Sequence, residues 1–446
     1  MVITNKIKYD SPHLTMGGVG VELSREIKIL GLTVDSKLTF NTHVTNVCRK
    51  ALNLYKQLSR AAKINWGLHS EIIRTIYNAV VESTIGYAAS AWATTTNRLG
   101  IRKQLDTVQR GFAQKIVKSY RTVSLHSALL LSGLLPLDIR IREAASLYEV
   151  KKGHSRRAIG DRELERPIPY IEQPHPAEQI GIDFLCLGDG AALEQHDNHG
   201  RKIYTDGSKI EGKVGAALSI WDDAAEISTK KLKLDRSCTV YQAELLALTE
   251  ATSYALKHKA PHCNIYSDSR SALETIADGT SLHPLAVKIR ANVTEIRKNK
   301  NVVNLFWIKA HAGLEGNERA DKLAKDAALN KKTRADYDRC PVSFIKRQIR
   351  LDSLDEWNRR YVEGTTASTT KIFFPDAISA YGLLRKVELD PLLVQLMTGH
   401  GGFSSYLYRF KCKESPSCEC NEEVEESVMH VSRAARDMRG IGSTPK

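Results

Sequence analysis

The sequence predicts an α/β fold over residues 200–331, a mixed β-sheet covered by helices, with a mainly helical region before it. Four short apolar stretches predict strands, at Lys202–Asp206, Gly215–Trp221, Cys263–Ser267 and Val302–Ile308. Helical apolar stripes lie between and after them, at Val240–Lys257, Ser269–Ile276, Leu285–Lys298 and Asn317–Leu329. Strands at the front followed by alternating helices are typical of a sheet with helices packed on it.

The flanking segments differ in character. Residues 19–40 predict strands, and residues 41–150 predict helices because apolar side chains recur at helical spacing, as from Val44 to Leu58. Residues 151–199 are rich in proline and acidic residues, which favours a linker or a wrapped connector. Residues 332–446 predict further helices and end in a short tail rich in Cys and Glu.

The charge of the chain favours a polyanionic partner. The net charge is +14, and residues 1–150 hold 20 Lys and Arg against 10 Asp and Glu. The basic helices are therefore either a solvated face or a groove for a nucleic-acid backbone, and the composition leaves both open.

Membrane and secreted classes are not expected. The apolar run around Ala128–Leu137 is too short to span a bilayer, and the first residues lack the apolar core of a signal peptide. Five of the eight cysteines are scattered singly, as reduced thiols usually are. We therefore expect an intracellular protein without a membrane partner, in either nucleus or cytoplasm.

Four motifs place acidic residues in a fixed order. They are Thr205-Asp206-Gly207-Ser208, Ala243-Glu244-Leu245, Ser267-Asp268-Ser269, and the segment from His311 to Ala324 that includes Asp321. Any one of these acids alone is more often a solvated surface residue. Carboxylates brought together from several strands and helices repel by roughly 4 kcal/mol per pair at about 4 Å, and Mg²⁺ relieves that repulsion with hard oxygen ligands.

With these motifs in this order, residues 202–330 resemble the ribonuclease H domain. The resemblance implies a five-stranded mixed sheet with flanking helices, and hydrolysis of RNA paired to DNA that leaves a 5′-phosphate and a 3′-hydroxyl. It also implies two Mg²⁺ ions, for which Mn²⁺ can substitute, bound by Asp206, Glu244, Asp268 and Asp321. His311 would assist proton transfer or product release from a loop in which Gly313 and Gly316 allow movement.

Other residues near these motifs have two interpretations. Asn317 and Glu318 are expected to begin the last helix and orient their neighbours. Ser208, Ser269 and Arg270 either contact the backbone of the hybrid or, for the serines, cap helices. The nuclease is expected to be active, and the alternative is a catalytically silent remnant that only binds nucleic acid.

The flanks resemble the end of a non-LTR retrotransposon reverse transcriptase. The segments that carry this likeness are 27–35, 119–124, 398–401 and 405–407. The resemblance divides the chain into the end of the polymerase palm at 1–40, a thumb-like or connection-like region at 41–150, the linker at 151–199, the ribonuclease H domain at 200–331 and a C-terminal region at 332–446. The paired aspartates of a polymerase do not occur, so we expect the C-terminal part of a polyprotein without polymerase activity.

The C-terminal tail resembles a small zinc motif of these elements. Cys418, Cys420 and His430 match its first three ligands, whereas Ala435 stands where the last Cys is expected. Cys412 lies outside the pattern. Structural zinc requires four ligands, so the sequence leaves both zinc binding and a decayed, reduced tail open.

Overall fold

The protein is described from a computed structural model, which covers residues 1–432 except 5, 7, 9, 11, 63–66, 154–159, 161, 180, 189–198 and 260. The chain divides into two compact units. The first unit combines Met1–Ser155 with Gln348–Lys446, and the second is Arg156–Arg347. In sequence, the second unit is inserted between the two parts of the first.

The first part of unit one begins with two antiparallel hairpins and continues as helices. The strands are β1 (Leu14–Met16), β2 (Val19–Val21), β3 (Glu26–Ile29) and β4 (Leu32–Asp35). The α-helices are α1 (Asn41–Ala61), α2 (Ser70–Ile76), α3 (Ser83–Ile85), α4 (Ala89–Trp92), α5 (Leu99–Ile116), α6 (Leu125–Ser132) and α7 (Leu137–Lys152). A π-helix covers Tyr77–Glu82 and a 3₁₀ helix covers Ala93–Asn97. The predicted helical character of this region is confirmed.

Unit two holds a six-stranded sheet. Its strands are β5 (Phe184–Leu187), β6 (Arg201–Ile210), β7 (Lys213–Asp222), β8 (Ala225–Leu234), β9 (His262–Ser267) and β10 (Val302–Ile308). Its α-helices are α8 (Val240–His258), α9 (Arg270–Ala277), α10 (Pro284–Lys298) and α11 (Glu315–Asn330). Two 3₁₀ turns, Tyr170–Glu172 and Pro176–Glu178, precede the sheet.

The order of the sheet is β5-β10-β9-β6-β7-β8. The first four strands pair in parallel, and β7 pairs antiparallel with both of its neighbours, β6 and β8. Alternate residues of β7 face opposite layers, as a strand requires. Ala216 and Leu218 belong to the core that includes α8 and α10, whereas Ala217 packs with Leu323 and Ala324 of α11. Helices therefore cover both faces, and the predicted mixed sheet with flanking helices is confirmed.

The sixth strand comes from the proline-rich segment. Phe184–Leu187 pairs in parallel with Leu305–Ile308 of β10, and Leu164 forms a parallel bridge with Cys340. This part of the expected linker is therefore built into unit two and extends the five-stranded sheet by one edge strand.

The last part of the chain completes unit one from Gln348 onward, and its first helix begins at Val342 in unit two. Its helices are α12 (Val342–Glu363), α13 (Ser368–Phe373), α14 (Ala377–Leu384), α15 (Pro391–Thr398) and α16 (Ser404–Arg409), followed by the hairpin β11 (Ser417–Cys418) and β12 (Asn421–Glu425). No described helix combines the length and the apolar character needed to span a bilayer.

The two parts of unit one share a hydrophobic core and a buried ion pair. Trp357 and Tyr361 pack in the same buried cluster as Trp92 of α4. Arg360 of α12 lies 2.8 Å from the carboxylate of Asp138 in α7, which is almost fully buried. Arg142 of α7 also pairs with Asp138, at 3.3 Å, so Arg360 adds a cation from the late helices to an ion pair within the early ones.

Candidate active site

Two of the predicted acids meet where parallel strands end. The last residues that pair between β6 and β9 are Thr205 and Ser267. Asp206 directly follows Thr205, and Asp268 directly follows Ser267. Neighbouring parallel strands thus deliver both carboxylates to the same edge of the sheet. The expectation that Asp206 ends its strand is wrong, because pairing with β7 continues β6 to Ile210.

Helix α8 supplies the third acid. Thr239 and Gln242 form a capping box that fixes the start of α8, and Glu244 lies in the second turn. The helix approaches β6 closely because residue 207 is glycine: a Cβ there would lie 2.6 Å from the backbone nitrogen of Glu244. Glu244 is only 6% exposed, so it does not belong to a solvated helix face.

The three carboxylates form one compact group. Asp206, Glu244 and Asp268 each offer an oxygen within 4.8 Å of the others. Asp206 is 7% exposed. Among the described residues, no hydrogen bond reaches the buried Oδ2 atom of Asp206 or the buried Oε2 atom of Glu244. Buried polar atoms normally have partners, so these two oxygens have the character of ligand atoms for a cation.

Burial and mutual repulsion shift the acids toward their neutral forms. Burial, followed by the charges of Asp268 and Asp321, raises the pKa of Asp206 to about 7. Burial and the neighbouring aspartates raise the pKa of Glu244 well above its usual range. Burial also raises the pKa of Asp268, although the side chain of Asn317 opposes this by a hydrogen bond to the carboxylate. A divalent cation would relieve the repulsion that raises these pKa values, and carboxylate oxygens are the hard ligands that such a cation prefers.

Asp321 and His311 lie beside this group. Asp321, on α11, contributes to the raised pKa values of Asp206 and Asp268, and its own carboxylate accepts a hydrogen bond from Lys325 at 2.7 Å. It is not part of the 4.8 Å group of three. His311 is exposed, has a left-handed backbone with φ of 54°, and interacts electrostatically with Asp268.

Comparison with known proteins agrees with this geometry. Residues 198–329 match the family model of RNase H. This segment is an RNase H domain. The identification confirms the resemblance seen in the motifs.

Proteins similar to the chain include proteins of type-1 retrotransposable elements. The chain is 28% identical over 143 residues to a retrovirus-related Pol polyprotein from the type-1 retrotransposable element R1 4 of Nasonia vitripennis, covering 31% of this chain and 35% of that protein. It is 26% identical to the putative 115 kDa protein of element R1DM of Drosophila melanogaster, over 32% of this chain and 14% of that protein. The chain therefore spans a minor part of the length of these relatives.

Solved structures similar to the chain include RNase H1 from the halophilic archaeon Halobacterium salinarum. The identity is 20% and the TM-score 0.24, with 28% of this chain and 96% of that one covered. An N-terminal RNase H domain from Mycobacterium tuberculosis gives 22% identity and a TM-score of 0.25, covering 29% of this chain and 92% of that one.

Sequence reasoning missed one supporting residue of the RNase H domain. The indole Nε1 of Trp307 donates a hydrogen bond to the backbone oxygen of Asp268 at 3.0 Å. This contact joins the end of β10 to the residue that carries the carboxylate. The signal was present in the sequence, because a tryptophan near the end of a buried strand needs a partner for its N–H group.

Two expectations about α11 are corrected. The helix begins at Glu315, two residues before Asn317, and Leu314 precedes it without a side-chain cap. Gly316 is buried inside this helix, and a Cβ there would lie 2.2 Å from the ring of Tyr204. Its small size therefore permits close packing, while Gly313, with φ of 77°, has the left-handed backbone that favours glycine.

Ser208, Ser269 and Arg270, the predicted contacts to the hybrid, lie on β6 and at the start of α9. Ser208 lies in β6, and Ser269 precedes α9 without a side-chain capping bond. The side chain of Arg270 forms an ion pair with Glu274 at 2.8 Å on the exposed surface of α9. Helix capping therefore does not account for Ser269, and its role as a contact to the hybrid stays a prediction.

The C-terminal tail brings together the three predicted zinc ligands. The Sγ atoms of Cys418 and Cys420 are 3.0 Å apart, and Sγ of Cys420 is 2.9 Å from Nε2 of His430. Thiolates and imidazole are the donors that zinc prefers. Cys412 is not in this group, and Ala435 lies outside the described residues.

Proposed function

We propose that this protein hydrolyses the RNA strand of RNA–DNA hybrids, with Asp206, Glu244, Asp268 and Asp321 holding two Mg²⁺ ions. One observation carries the proposal: a group of three acids contains two buried carboxylate oxygens to which no described residue donates a hydrogen bond. Two divalent ions at such a site activate water for in-line attack and stabilise the leaving oxygen.

The protein groups have separate tasks in this proposal. Asp206 and Asp268 hold their oxygens in fixed positions, because the sheet fixes their backbones and Trp307 holds that of Asp268. Lys325 balances part of the negative charge through its ion pair with Asp321. His311 is exposed before α11, where its side chain is accessible to act at the leaving oxygen or during product release.

Selection of the hybrid would depend on the shape of its groove and on contacts to 2′-hydroxyl groups. Such recognition reads the backbone and not the base edges. The candidate contacts, Ser208 and Ser269, flank the acids in sequence. The enzyme is therefore expected to cleave many sequences at similar rates.

Cleavage of a labelled RNA–DNA hybrid by the purified full chain tests the proposal. We expect cleavage with Mg²⁺ or Mn²⁺, none in EDTA, and a loss of about 100-fold or more in Asp268→Asn. Asp183→Asn, which changes an exposed aspartate of the same unit, is the matched control and is expected to keep full activity.

Single-stranded RNA and double-stranded RNA serve as substrate controls. If the wild-type chain binds the hybrid but cuts nothing with either metal, the chain is a catalytically silent nucleic-acid-binding remnant. If wild type and Asp268→Asn cut equally, the carboxylate group is not the active site.

A further inference from the structure

Three segments outside the RNase H domain, 119–124, 398–401 and 405–407, meet in unit one. The hydroxyl oxygen of Thr122 lies 2.8 Å from Nδ1 of His400 and 2.7 Å from the hydroxyl of Tyr406. Thr122 follows α5 in the first part of the chain. His400 lies between α15 and α16, 278 positions later, and Tyr406 lies within α16, 284 positions later. This hydrogen-bonded centre is separate from the carboxylates of unit two.

Aromatic rings gather around this centre. The ring of Tyr406 lies 6.4 Å from that of Tyr120, 5.0 Å from His400 and 4.9 Å from Phe410. Tyr120 is 37% exposed and Phe410 is 46% exposed, although large aromatic side chains gain free energy on burial. We call Tyr120, Thr122, His400, Tyr406 and Phe410 the Tyr406 surface. Its outer rings are available for stacking by a ligand.

Arginines surround the Tyr406 surface. Both Nε and Nη2 of Arg110 donate to the backbone oxygen of Val123, at 3.2 and 3.0 Å. Burial and the positive charges of Arg409 and Arg110 lower the pKa of His400. Among the described residues, neither of these arginines nor the exposed Arg121 forms an ion pair with a carboxylate. Their charge therefore remains available to an anion.

The basic character continues along the chain beyond α16. A groove of about 790 Å³ is lined by Tyr408, Arg409, Lys411, Cys412, Lys413 and Glu414. The nearby acid Glu426 accepts hydrogen bonds from the backbone nitrogen and hydroxyl of Ser404, and Lys413 donates to that same hydroxyl at 2.7 Å. The lining of the groove therefore carries three cations, Arg409, Lys411 and Lys413, against one carboxylate, Glu414.

We propose that the Tyr406 surface and its arginines bind single-stranded nucleic acid. Unpaired bases stack on exposed aromatic rings, and cations that form no ion pair with a carboxylate bind the phosphates between them. A duplex offers its phosphates but keeps its bases stacked inside, so it could use only the arginines. The proposal concerns a site in unit one and does not depend on hydrolysis in the RNase H domain.

Fluorescence anisotropy with labelled 20-nucleotide single strands tests the site in the full chain, with EDTA present so that metal-dependent cleavage cannot contribute. RNA and DNA are separate arms. We expect Tyr120→Ala and Phe410→Ala each to weaken binding by about fivefold or more, the loss of one stacked base. Phe410→Trp keeps a stacking ring and should keep its affinity.

Salt dependence separates a direct contact from a general loss of structure. Arg409→Ala should reduce the slope of log affinity against log salt by about 0.7 if the guanidinium contacts one phosphate. The control is Tyr148→Ala, which removes an aromatic ring with similar exposure from α7 of the same unit. It should change neither the affinity nor the slope.

Loss of affinity in the aromatic variants, for RNA, DNA or both, supports the site and identifies its ligand. Unchanged affinity in Tyr120→Ala and Phe410→Ala with unchanged melting temperatures overturns it. So does binding of a hybrid duplex that is as tight as that of single strands and equally sensitive to these variants. If a variant unfolds, Phe410→Trp and the salt slope of Arg409→Ala decide the question.

Discussion

Replacing Asp206 with Asn should make the metal-free protein more stable while it impairs catalysis. In the folded chain the pKa of Asp206 is raised from 3.8 to about 7, so the ionised side chain destabilises the fold. The difference corresponds to about 4 kcal/mol at a pH above 7, since one pKa unit is about 1.4 kcal/mol. Asn keeps the shape of the side chain and removes the charge.

The raised pKa of Asp206 also fixes how the free energy of unfolding changes with pH. Between pH 3.8 and about 7 the folded state binds more protons at Asp206 than the unfolded state does, so the free energy of unfolding falls as pH rises. The advantage of Asp206→Asn should therefore be near about 2 kcal/mol at pH 5 and approach about 4 kcal/mol at pH 8. For a unit of this size each kcal/mol raises the melting temperature by about 2–4 °C.

Differential scanning calorimetry of the full chain in EDTA, at both pH values, measures this effect on the transition of unit two. Asp183→Asn is the control and should leave the transition unchanged at either pH. Added Mg²⁺ should stabilise the wild type more than Asp206→Asn, because binding to the folded state adds to its stability. If Asp206→Asn melts at or below the wild-type temperature in EDTA at pH 8, the carboxylates are not in the repulsive arrangement inferred here.

Three further predictions concern single residues. Gly316→Ala should lower the free energy of unfolding by about 1–3 kcal/mol in urea titrations because its Cβ meets the ring of Tyr204, and Tyr204→Leu should recover part of the loss; an additive double variant would contradict this contact. His311→Ala should reduce turnover of the hybrid by about 100-fold, yet change the melting temperature little because the side chain is exposed, and a normal rate would remove His311 from proton transfer. Cys420→Ala should abolish zinc uptake measured by metal analysis, because Cys420 lies between the other two donors, and a wild-type chain that takes up no zinc would indicate a decayed motif.

The acidic group was predictable to a large extent from the sequence. The order of the motifs, through its resemblance to the ribonuclease H domain, predicted Asp206, Glu244 and Asp268 as a group, and the structure brings these three acids together. The burial of Glu244 was not predictable from the helix pattern alone. It depends on the missing side chain at Gly207, which allows α8 to approach β6.

Features that depend on distant parts of the chain could not be derived from local pattern. The continuation of β6 to Ile210 results from pairing with β7, and the packing of Gly316 against Tyr204 joins residues more than 100 positions apart. The strand Phe184–Leu187 did have a signal, a short apolar run, but the surrounding prolines and acids favoured a linker.

The contrast between the two sites explains why they need separate tests. In unit two, negative charges are brought together at a cost to stability that only a cation offsets, so removal of charge should stabilise the metal-free fold. Around the Tyr406 surface, no described carboxylate pairs with the arginines beside the exposed rings, so removal of charge should weaken binding to a polyanion most at low salt. A chain that lost catalysis would still keep the second property, because Thr122, His400 and Tyr406 hold that surface together without any contribution from the four acids.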